Sequence, residues 1–494
     1  MPKHSIQICI LLLCSLAVLL AADPLVSCPD LGWHIRAGEK ILATRSLPYT
    51  AWFSFTVPNH PWVNHEWLQD IGLYVLWQSG GSWGVRIGFA LLGWGLIILV
   101  FNSFNEGRRS WELTAVTGVL WAGILVAARL LRPQLITLLG FALVWLLLRR
   151  LPRTAAARSL WLLPPFFWLW ANLHAGFVIG IALAALVLAV EALKLRLLER
   201  GPKDSFLTAW IIPQESLTIQ QCWKLFGILI LSGALTLVNP YGWRLYAEIF
   251  QTLGDRYPKL YVTEWLPTSV AALSGELFFC FVAAALVLMA ARVRRPDLTF
   301  FIALLAFFGL GLTSVRHSIF FVIILLPELY SALKAATPLL RREFNFIFFL
   351  MLGMIILALS GNLLSRALPS TQRVVRVEEM YPLKALAFLD GAEVGRRVFH
   401  AFEWGGFLIL HNGNNQTFID GRMTQWQVDD RSFLRTYVEV KNLASGWQET
   451  LQRYGVDLVL IAPQEPLAAG LRLLPQQWRL LYEDQVAIVF ERIG

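Results

Sequence analysis

Long apolar runs, more than alternation, organise this chain. Eleven stretches reach or approach the roughly 17 to 25 residues that a helix needs to cross a bilayer. They are 6–22, 85–101, 113–128, 135–148, 160–170, 177–193, 225–238, 277–291, 298–313, 319–333 and 346–359. Pro164 and Pro165 are expected to kink the fifth run, because a proline inside a helix removes a hydrogen bond and crowds the preceding turn. After residue 361 the pattern changes, and short apolar segments alternate with turn residues and charges. Strands are expected at 397–400, 407–410, 417–419, 456–462, 479–482 and 486–490, and helices at 383–389, 445–454 and 466–473. Strands interleaved with helices predict a small α/β domain. The expected organisation is an α-helical polytopic membrane protein of about 11 spans over residues 1–365, with a long first loop at 23–84, followed by an α/β domain at 366–494.

Composition agrees with that pattern. The 494 residues are 56% hydrophobic and 15% charged, with 21 Trp and 32 Phe, whereas soluble domains carry about 25% charged residues. The net charge of +9 could point to nucleic acid, but the basic residues are scattered between apolar runs instead of gathered on one face, which excludes that partner. Five Cys lack paired spacing, so neither a disulfide framework nor a zinc finger is expected. Leu25-Val26-Ser27-Cys28 has the look of a lipobox, but it lies beyond Asp23 and Pro24, past the apolar region. The first run is expected to stay as a signal anchor.

Charge also orients the spans. With Lys3 inside and the runs alternating, 18 Lys and Arg fall on the inner side and 9 in the outer loops, as the positive-inside rule requires. The N-terminus is then cytoplasmic and residues 366–494 are extracytoplasmic, in a bacterial inner membrane. Once oriented, the polar and aromatic clusters all lie outside. The first loop carries Asp30-Leu31-Gly32-Trp33-His34 and Trp62-Val63-Asn64-His65-Glu66-Trp67-Leu68. Other outer points are Arg129, Arg132-Pro133-Gln134, Trp170-Ala171-Asn172-Leu173-His174, Asn239-Pro240-Tyr241-Gly242, Glu264-Trp265 and Arg316-His317. Ionisable groups beside hydrocarbon are costly, so such a set is a functional candidate. Each member also has a plainer role. Trp and Tyr anchor span ends, Asn-Pro-Tyr-Gly is a good helix stop, and Asp30 suits a helix N-cap.

At these residues the sequence resembles the GT-C superfamily of polyprenyl-phosphate-dependent membrane glycosyltransferases, which includes oligosaccharyltransferases, protein O-mannosyltransferases and lipid A aminoarabinose transferases. It looks more closely like a group of bacterial multi-span proteins sharing Asp-Leu-x-Trp-His, Trp-x-x-His-Glu-Trp-Leu, Arg-Pro-x, Trp-Ala-Asn-Leu-His, Asn-Pro-Tyr-Gly, Arg-His/Asn and an Asp-Gly-Arg in an external tail, here Asp420-Gly421-Arg422. The likeness covers nearly the whole chain. It implies a catalytic carboxylate in the first external loop, a position that Asp30 matches, with Glu66 as the second loop acid. Asp30 lacks an adjacent acid, and Ala51 stands where relatives are expected to carry Asp. A divalent cation, Mg or Mn, therefore stays open as cofactor.

The expected reaction is inverting transfer of a sugar from a polyprenyl phosphate to an envelope lipid, glycan or protein. It needs a base on the acceptor, for which Asp30 is the candidate, with Glu66 or His34 tuning it. Fixed cations must stabilise the leaving phosphate, the part expected of Arg129, Arg132, Arg316 and His317. Trp33, Trp67 and Trp170 offer faces for a pyranose ring, and His65, Asn172, His174, Asn239, Tyr241 and Glu264 complete the sugar and acceptor set. Asp420-Gly421-Arg422 reads first as turn chemistry and second as an acceptor site. No Gly-rich phosphate loop or nucleophile elbow appears, so a nucleotide-sugar site is unsupported. The alternative is a non-catalytic module that binds a glycan or lipid-linked precursor, or scaffolds an envelope complex. A transporter fits less well, because no inverted repeat of broken helices is visible.

Overall fold

Glycine breaks the element that joins the Trp-rich loop to the second apolar run. In the computed structural model, Trp67–Ser103 is helical throughout except at Gly80 (φ −166°, ψ 19°) and Gly81 (φ 55°, ψ −138°). Gly81 occupies backbone space that an L side chain avoids. The part before the break runs from Trp67 to Ser79. The part after it, at about 1.5 Å per residue, rises about 33 Å, enough for a hydrocarbon core of roughly 30 Å.

The structure describes residues 13, 15–17, 19–103, 121, 125, 131–151, 158–200, 207–270, 273–290, 297–343, 377–389, 391–393, 395–411 and 416–493. The expected span at 346–359, most of those at 6–22 and 113–128, and Arg129 lie outside them. Among the described residues, Trp67–Val100, Phe177–Arg200 and Pro213–Thr236 are long and apolar enough to cross a membrane, and Gly275–Val287 and Leu298–Thr313 are shorter apolar helices. The protein is a multi-pass membrane protein.

One expected span is corrected. Ser159–Leu162 is a 3₁₀ turn and Leu163–Leu173 a separate helix with proline in its first turn. The prolines start a helix instead of kinking one, since the first turn has no hydrogen bond to lose. Eleven residues rise only about 16 Å, too little to span.

The chain packs as two units, one drawn from Met1–Ala22, Ile87–Gly242 and Thr263–Gln372, the other from Asp23–Arg86, Trp243–Val262 and Arg373–Gly494. In the first, helices Leu135–Arg150, Phe177–Arg200, Ile219–Thr236, Leu273–Ala290, Leu298–Thr313 and Val315–Glu343 form a bundle. Its centre includes Phe141 against Phe307 at 4.9 Å and Phe320 at 4.7 Å. Lys194, counted in the sequence as an inner-side charge, is fully buried. Its Nζ donates to Glu191 and Asp297, each at 2.8 Å. The two carboxylates also accept the backbone N–H groups of Leu217 (2.8 Å) and Ile212 (3.1 Å). A buried charge is tolerable only when paired and hydrogen-bonded in this way.

In the second unit a four-stranded sheet runs β1 (Val398–His400), β2 (Leu458–Ile461), β3 (Trp478–Glu483) and β4 (Ile488–Arg492), in spatial order β1-β2-β4-β3. β1 and β2 are parallel, with Val398 opposite Leu458, and the other pairs are antiparallel. A parallel pair needs a long crossover, here carrying helices Gly405–His411, Phe433–Lys441 and Trp447–Arg453. The strands expected at 397–400, 456–462, 479–482 and 486–490 are thus found, as are the three helices. The strand expected at 407–410 is instead helix Gly405–His411. Residues 417–419 form no strand. Thr417 makes isolated bridges to Ser54 and Val398, tying the first loop to the sheet. Trp33, Phe53, Val57 and Trp62 from that loop share one core with Phe399, Phe418, Met423 and Trp426.

Glycine explains the misread strand. A Cβ on Gly406 would lie 2.2 Å from the Pro29 carbonyl, one on Gly405 2.4 Å from the Ile419 carbonyl, and one on Gly32 1.8 Å from the Gly406 carbonyl. Helix Leu31–Thr44 and helix Gly405–His411 meet backbone to backbone, which glycine alone permits. Gly32→Ala should therefore destabilise the protein by about 1 to 3 kcal/mol, as overpacking does. Gly72, where an added Cβ meets nothing within 4 Å, serves as the control. Thermal unfolding of the two alanine variants in detergent checks this: Gly32→Ala melts several degrees lower and Gly72→Ala does not.

Candidate active site

Helix Leu31–Thr44 lies close to the start of helix Trp67–Ser103 because Gly38 admits the Asp70 carbonyl, which a Cβ would approach to 2.1 Å. His34, one turn before Gly38, therefore meets Asp70. Its Nδ1 is 2.6 Å from Asp70 Oδ1, and Asp70 Oδ2 accepts from Asn64 Nδ2 at 2.8 Å. His34 Nε2 and His65 Nε2 each lie 3.8 Å from Glu66 Oε2. Asp70 is fully buried, and His34 and Glu66 nearly so. Burial pushes the His34 pKa below its ordinary value, against the opposing pull of Glu66 and Asp30.

Asp30 holds the N-cap position of Leu31–Thr44, yet its side chain makes no capping hydrogen bond. The carboxylate accepts instead from Trp33 Nε1 at 3.1 Å, and Gly421 lies so close that a Cβ there would be 1.9 Å from Asp30 Oδ1. Gly421 belongs to the Asp-Gly-Arg motif, whose flanks are locked together. Arg422 forms a two-point pair with Asp420, Nε to Oδ1 at 2.8 Å and Nη2 to Oδ2 at 2.6 Å. The guanidinium is ringed by Phe53, Trp62, Trp426 and Trp33 at 4.7, 4.8, 5.8 and 5.9 Å from their ring centres. Its Nη1 has no hydrogen-bond partner among the described residues; cation–π attraction compensates a buried guanidinium in part.

The first-loop residues Asp30, Trp33, His34, His65 and Glu66 are thus brought together. The sequence reading missed Asp70 and Asn64, whereas its first reading of Asp420-Gly421-Arg422, as turn chemistry, is found: Asp420 caps the 3₁₀ turn Gly421–Met423 and accepts the Arg422 N–H at 3.1 Å. A carboxylate in the first turn of a helix reads as a dipole partner, and only the Gly38 contact shows otherwise. Trp33 stacks on His34 at 3.6 Å and meets Trp62 edge-on. It is 6% exposed. Trp67 is half-buried at the start of its helix.

A second cluster lies in the helical unit. Glu264 Oε2 takes Arg132 Nη1 at 2.6 Å and Glu264 Oε1 takes Arg316 Nη1 at 3.1 Å. Arg316 lies over Trp265 at 5.2 Å, and Trp265 meets His317 edge-on at 6.0 Å. Burial would push the Glu264 pKa up, but Arg316 and Arg132 outweigh it and hold the carboxyl below its ordinary range. Arg132, Glu264, Arg316 and His317 are therefore one group.

The remaining candidates have packing roles. Trp170 is 1% exposed and its ring fills the space over Gly140 and Gly180, where a Cβ would come within 2.8 and 2.5 Å. His174 Nδ1 accepts from the Gly176 N–H at 3.0 Å and lies 2.8 Å from Thr137 Oγ1. Asn172 donates to the carbonyls of Trp168 (2.9 Å) and Val238 (3.3 Å). Asn239 closes its own turn, accepting the Tyr241 N–H at 2.8 Å and donating to the Thr236 carbonyl at 2.8 Å. Tyr241 is buried beside it.

Among the described residues no group of three or more His, Cys, Asp or Glu side chains is placed to hold a metal ion. His34 gives Nδ1 to Asp70, and its Nε2 lies 3.8 Å from Glu66 Oε2.

No family model matches the sequence, and no curated protein matches it. Solved structures do. The archaeal oligosaccharyltransferase AglB from Archaeoglobus fulgidus, in complex with an inhibitory peptide and a dolichol-phosphate, is 11% identical, with a TM-score of 0.59 over 100% of this chain and 74% of that one. An Archaeoglobus fulgidus oligosaccharyltransferase tethered with an acceptor peptide is 12% identical, with a TM-score of 0.57 over 99% and 74%. The Archaeoglobus fulgidus oligosaccharyltransferase complex with Zn and sulfate is 11% identical, with a TM-score of 0.53 over 98% and 73%. The chain therefore shares its fold with these oligosaccharyltransferases.

One titration bears on the Asp-Gly-Arg segment. His400, 1% exposed, accepts the Phe418 N–H at Nε2 (3.2 Å) and donates from Nδ1 to the Ala401 carbonyl (2.9 Å). Burial lowers its pKa from 6.5 to about 4, with Asp420 pulling the other way. A depressed folded-state pKa gives stability that is complete above pH 6.5 and is lost as pH falls toward 4, a difference on the order of 3 kcal/mol. Unfolding midpoints of the wild type and His400→Gln, measured from pH 7 to 4, should show the steeper decline in the wild type.

Proposed function

We propose that this protein is an inverting membrane glycosyltransferase, taking a sugar from a polyprenyl phosphate and delivering it to an acceptor on the outer face of a bacterial inner membrane. The observation that carries the reading is the Asp30, His34, Glu66 and Asp70 cluster, a buried acid–base group on a fold shared with oligosaccharyltransferases. The proposed topology has about 11 spans, with the N-terminus cytoplasmic and the Asp30 unit extracytoplasmic.

Asp30 is the base of this reading. Its carboxylate keeps one oxygen on Trp33 and is half-exposed, so it can take the proton of an acceptor hydroxyl or amide as that group attacks the anomeric carbon. Attack on the face opposite the phosphate inverts the centre, and the polyprenyl phosphate leaves with the bonding pair. In the helical unit Arg132 and Arg316 supply fixed positive charge for an anionic headgroup. Glu264 offsets one of those charges and orients both guanidinium groups.

Two substitutions test this. Asp30→Asn keeps the shape and the Trp33 contact but removes the base, and transfer from a lipid-linked sugar should fall at least about 100-fold. Undiminished turnover in the folded variant would eliminate Asp30. Arg316→Ala should raise the apparent KM for the lipid donor about tenfold or more, the effect of losing one charged hydrogen bond, while leaving acceptor KM within twofold. An unchanged donor KM would take Arg316 out of headgroup binding.

A further inference from the structure

Asp70 touches nothing that the proposed reaction consumes, and both of its carboxyl oxygens are engaged. The Glu66 backbone N–H donates to Asn64 Oδ1 at 3.3 Å. That fixes which end of the Asn64 amide is which, so Asn64 Nδ2 must be the donor to Asp70 Oδ2 at 2.8 Å. The other Asp70 oxygen meets His34 Nδ1 at 2.6 Å. Burial pushes the Asp70 pKa up while the Asn64 hydrogen bond pulls it back; as a carboxylate Asp70 only accepts, and Nδ1 then carries the proton while Nε2 carries the lone pair on the side of Glu66 and His65. The arrangement is held by Gly38, whose missing Cβ lets the two helices meet at the Asp70 carbonyl.

We propose that Asp70 is a positioning residue, which locks His34 in the Nδ1–H tautomer so that Nε2 is presented as a proton acceptor beside Glu66. Its effect on turnover rests on the transferase reading above, whereas the tautomer itself does not. His34 in this state is a neutral acceptor in a buried site, able to hold a proton at Nε2. With the other tautomer, Nε2–H would occupy that place and the acceptor would be lost. A buried acid that orients a histidine in this way commonly matters through the tautomer it selects.

The hydrogen bonds allow a test by exchange. In Asp70→Asn the amide oxygen must face the fixed donor of Asn64, so the amide NH2 faces His34 Nδ1 and forces Nε2–H. In Asn64→Asp/Asp70→Asn, the residue 64 carboxylate accepts both the Glu66 N–H and the residue 70 NH2. The residue 70 carbonyl then turns to His34 and restores Nδ1–H. Both proteins keep the size of the buried groups.

The experiment measures the imidazole ring NMR shifts of His34, assigned by comparison with His34→Gln, together with transfer from a lipid-linked sugar. The expected tautomers are Nδ1–H in the wild type, Nε2–H in Asp70→Asn and Nδ1–H in the double variant. Transfer should fall about 100-fold or more in Asp70→Asn with donor KM within twofold, and recover at least about tenfold in the double variant. An Nε2–H wild type, or an unchanged tautomer in folded Asp70→Asn, would overturn the positioning role. So would a switched tautomer with undiminished transfer, or a restored tautomer with no recovery. If the wild type transfers nothing while the tautomers switch as expected, the transferase reading falls and the hydrogen-bond lock stands.

Discussion

The Arg422 guanidinium is the fixed point of the second unit. It is charged and 5% exposed, a state that costs several kcal/mol unless the charge is matched. Asp420 matches it through two hydrogen bonds, and four aromatic rings close around it. Three of those rings, Trp33, Phe53 and Trp62, come from the first loop, and one, Trp426, from the segment after the motif. The loop and the tail are far apart in sequence, and this ion pair with its aromatic walls makes them one core. Gly421, between the paired residues, is thereby pressed onto Asp30. The geometry of the proposed base depends on a charge pair nearly 400 residues away.

Glycine contacts do comparable work around the same helix. Gly32 opens Leu31–Thr44 to helix Gly405–His411, and Gly38 opens it to Asp70. Side chains two and four residues from these contacts inherit their positions. His34 is held between them, which is why a 2.6 Å contact to Asp70 can form from opposite ends of the loop. The cluster is rigid because backbone approaches set it, and a site built on rigid elements holds its geometry better than one on a free loop.

Much of this could be read from residue types. The apolar runs predicted a membrane bundle, and the strand at 458–461 declared itself as a short β-branched and leucine run. Asp30, His34 and Glu66 stood out as charged groups in an aromatic loop. What escaped depended on partners that periodicity does not encode. Phe407-Leu408-Ile409-Leu410 reads as a strand, but the two glycines before it dock a helix. Trp170 reads as an interfacial anchor or sugar platform, and only its contact with Gly140 and Gly180 reveals packing. Asp420-Gly421-Arg422 reads as a turn and is one, but its aromatic cage escaped because three of the four rings come from the other end of the chain.

The central claim is that the protein moves a sugar off a polyprenyl phosphate. Its most direct test incubates the purified protein in lipid with a polyprenyl-phosphate sugar labelled in the sugar, together with an envelope glycan and lipid fraction, and follows both products. The account predicts that label passes to the acceptor with one equivalent of free polyprenyl phosphate released and the anomeric configuration inverted. Binding of the labelled lipid without release of polyprenyl phosphate would contradict it and leave a glycan- or lipid-binding module in its place.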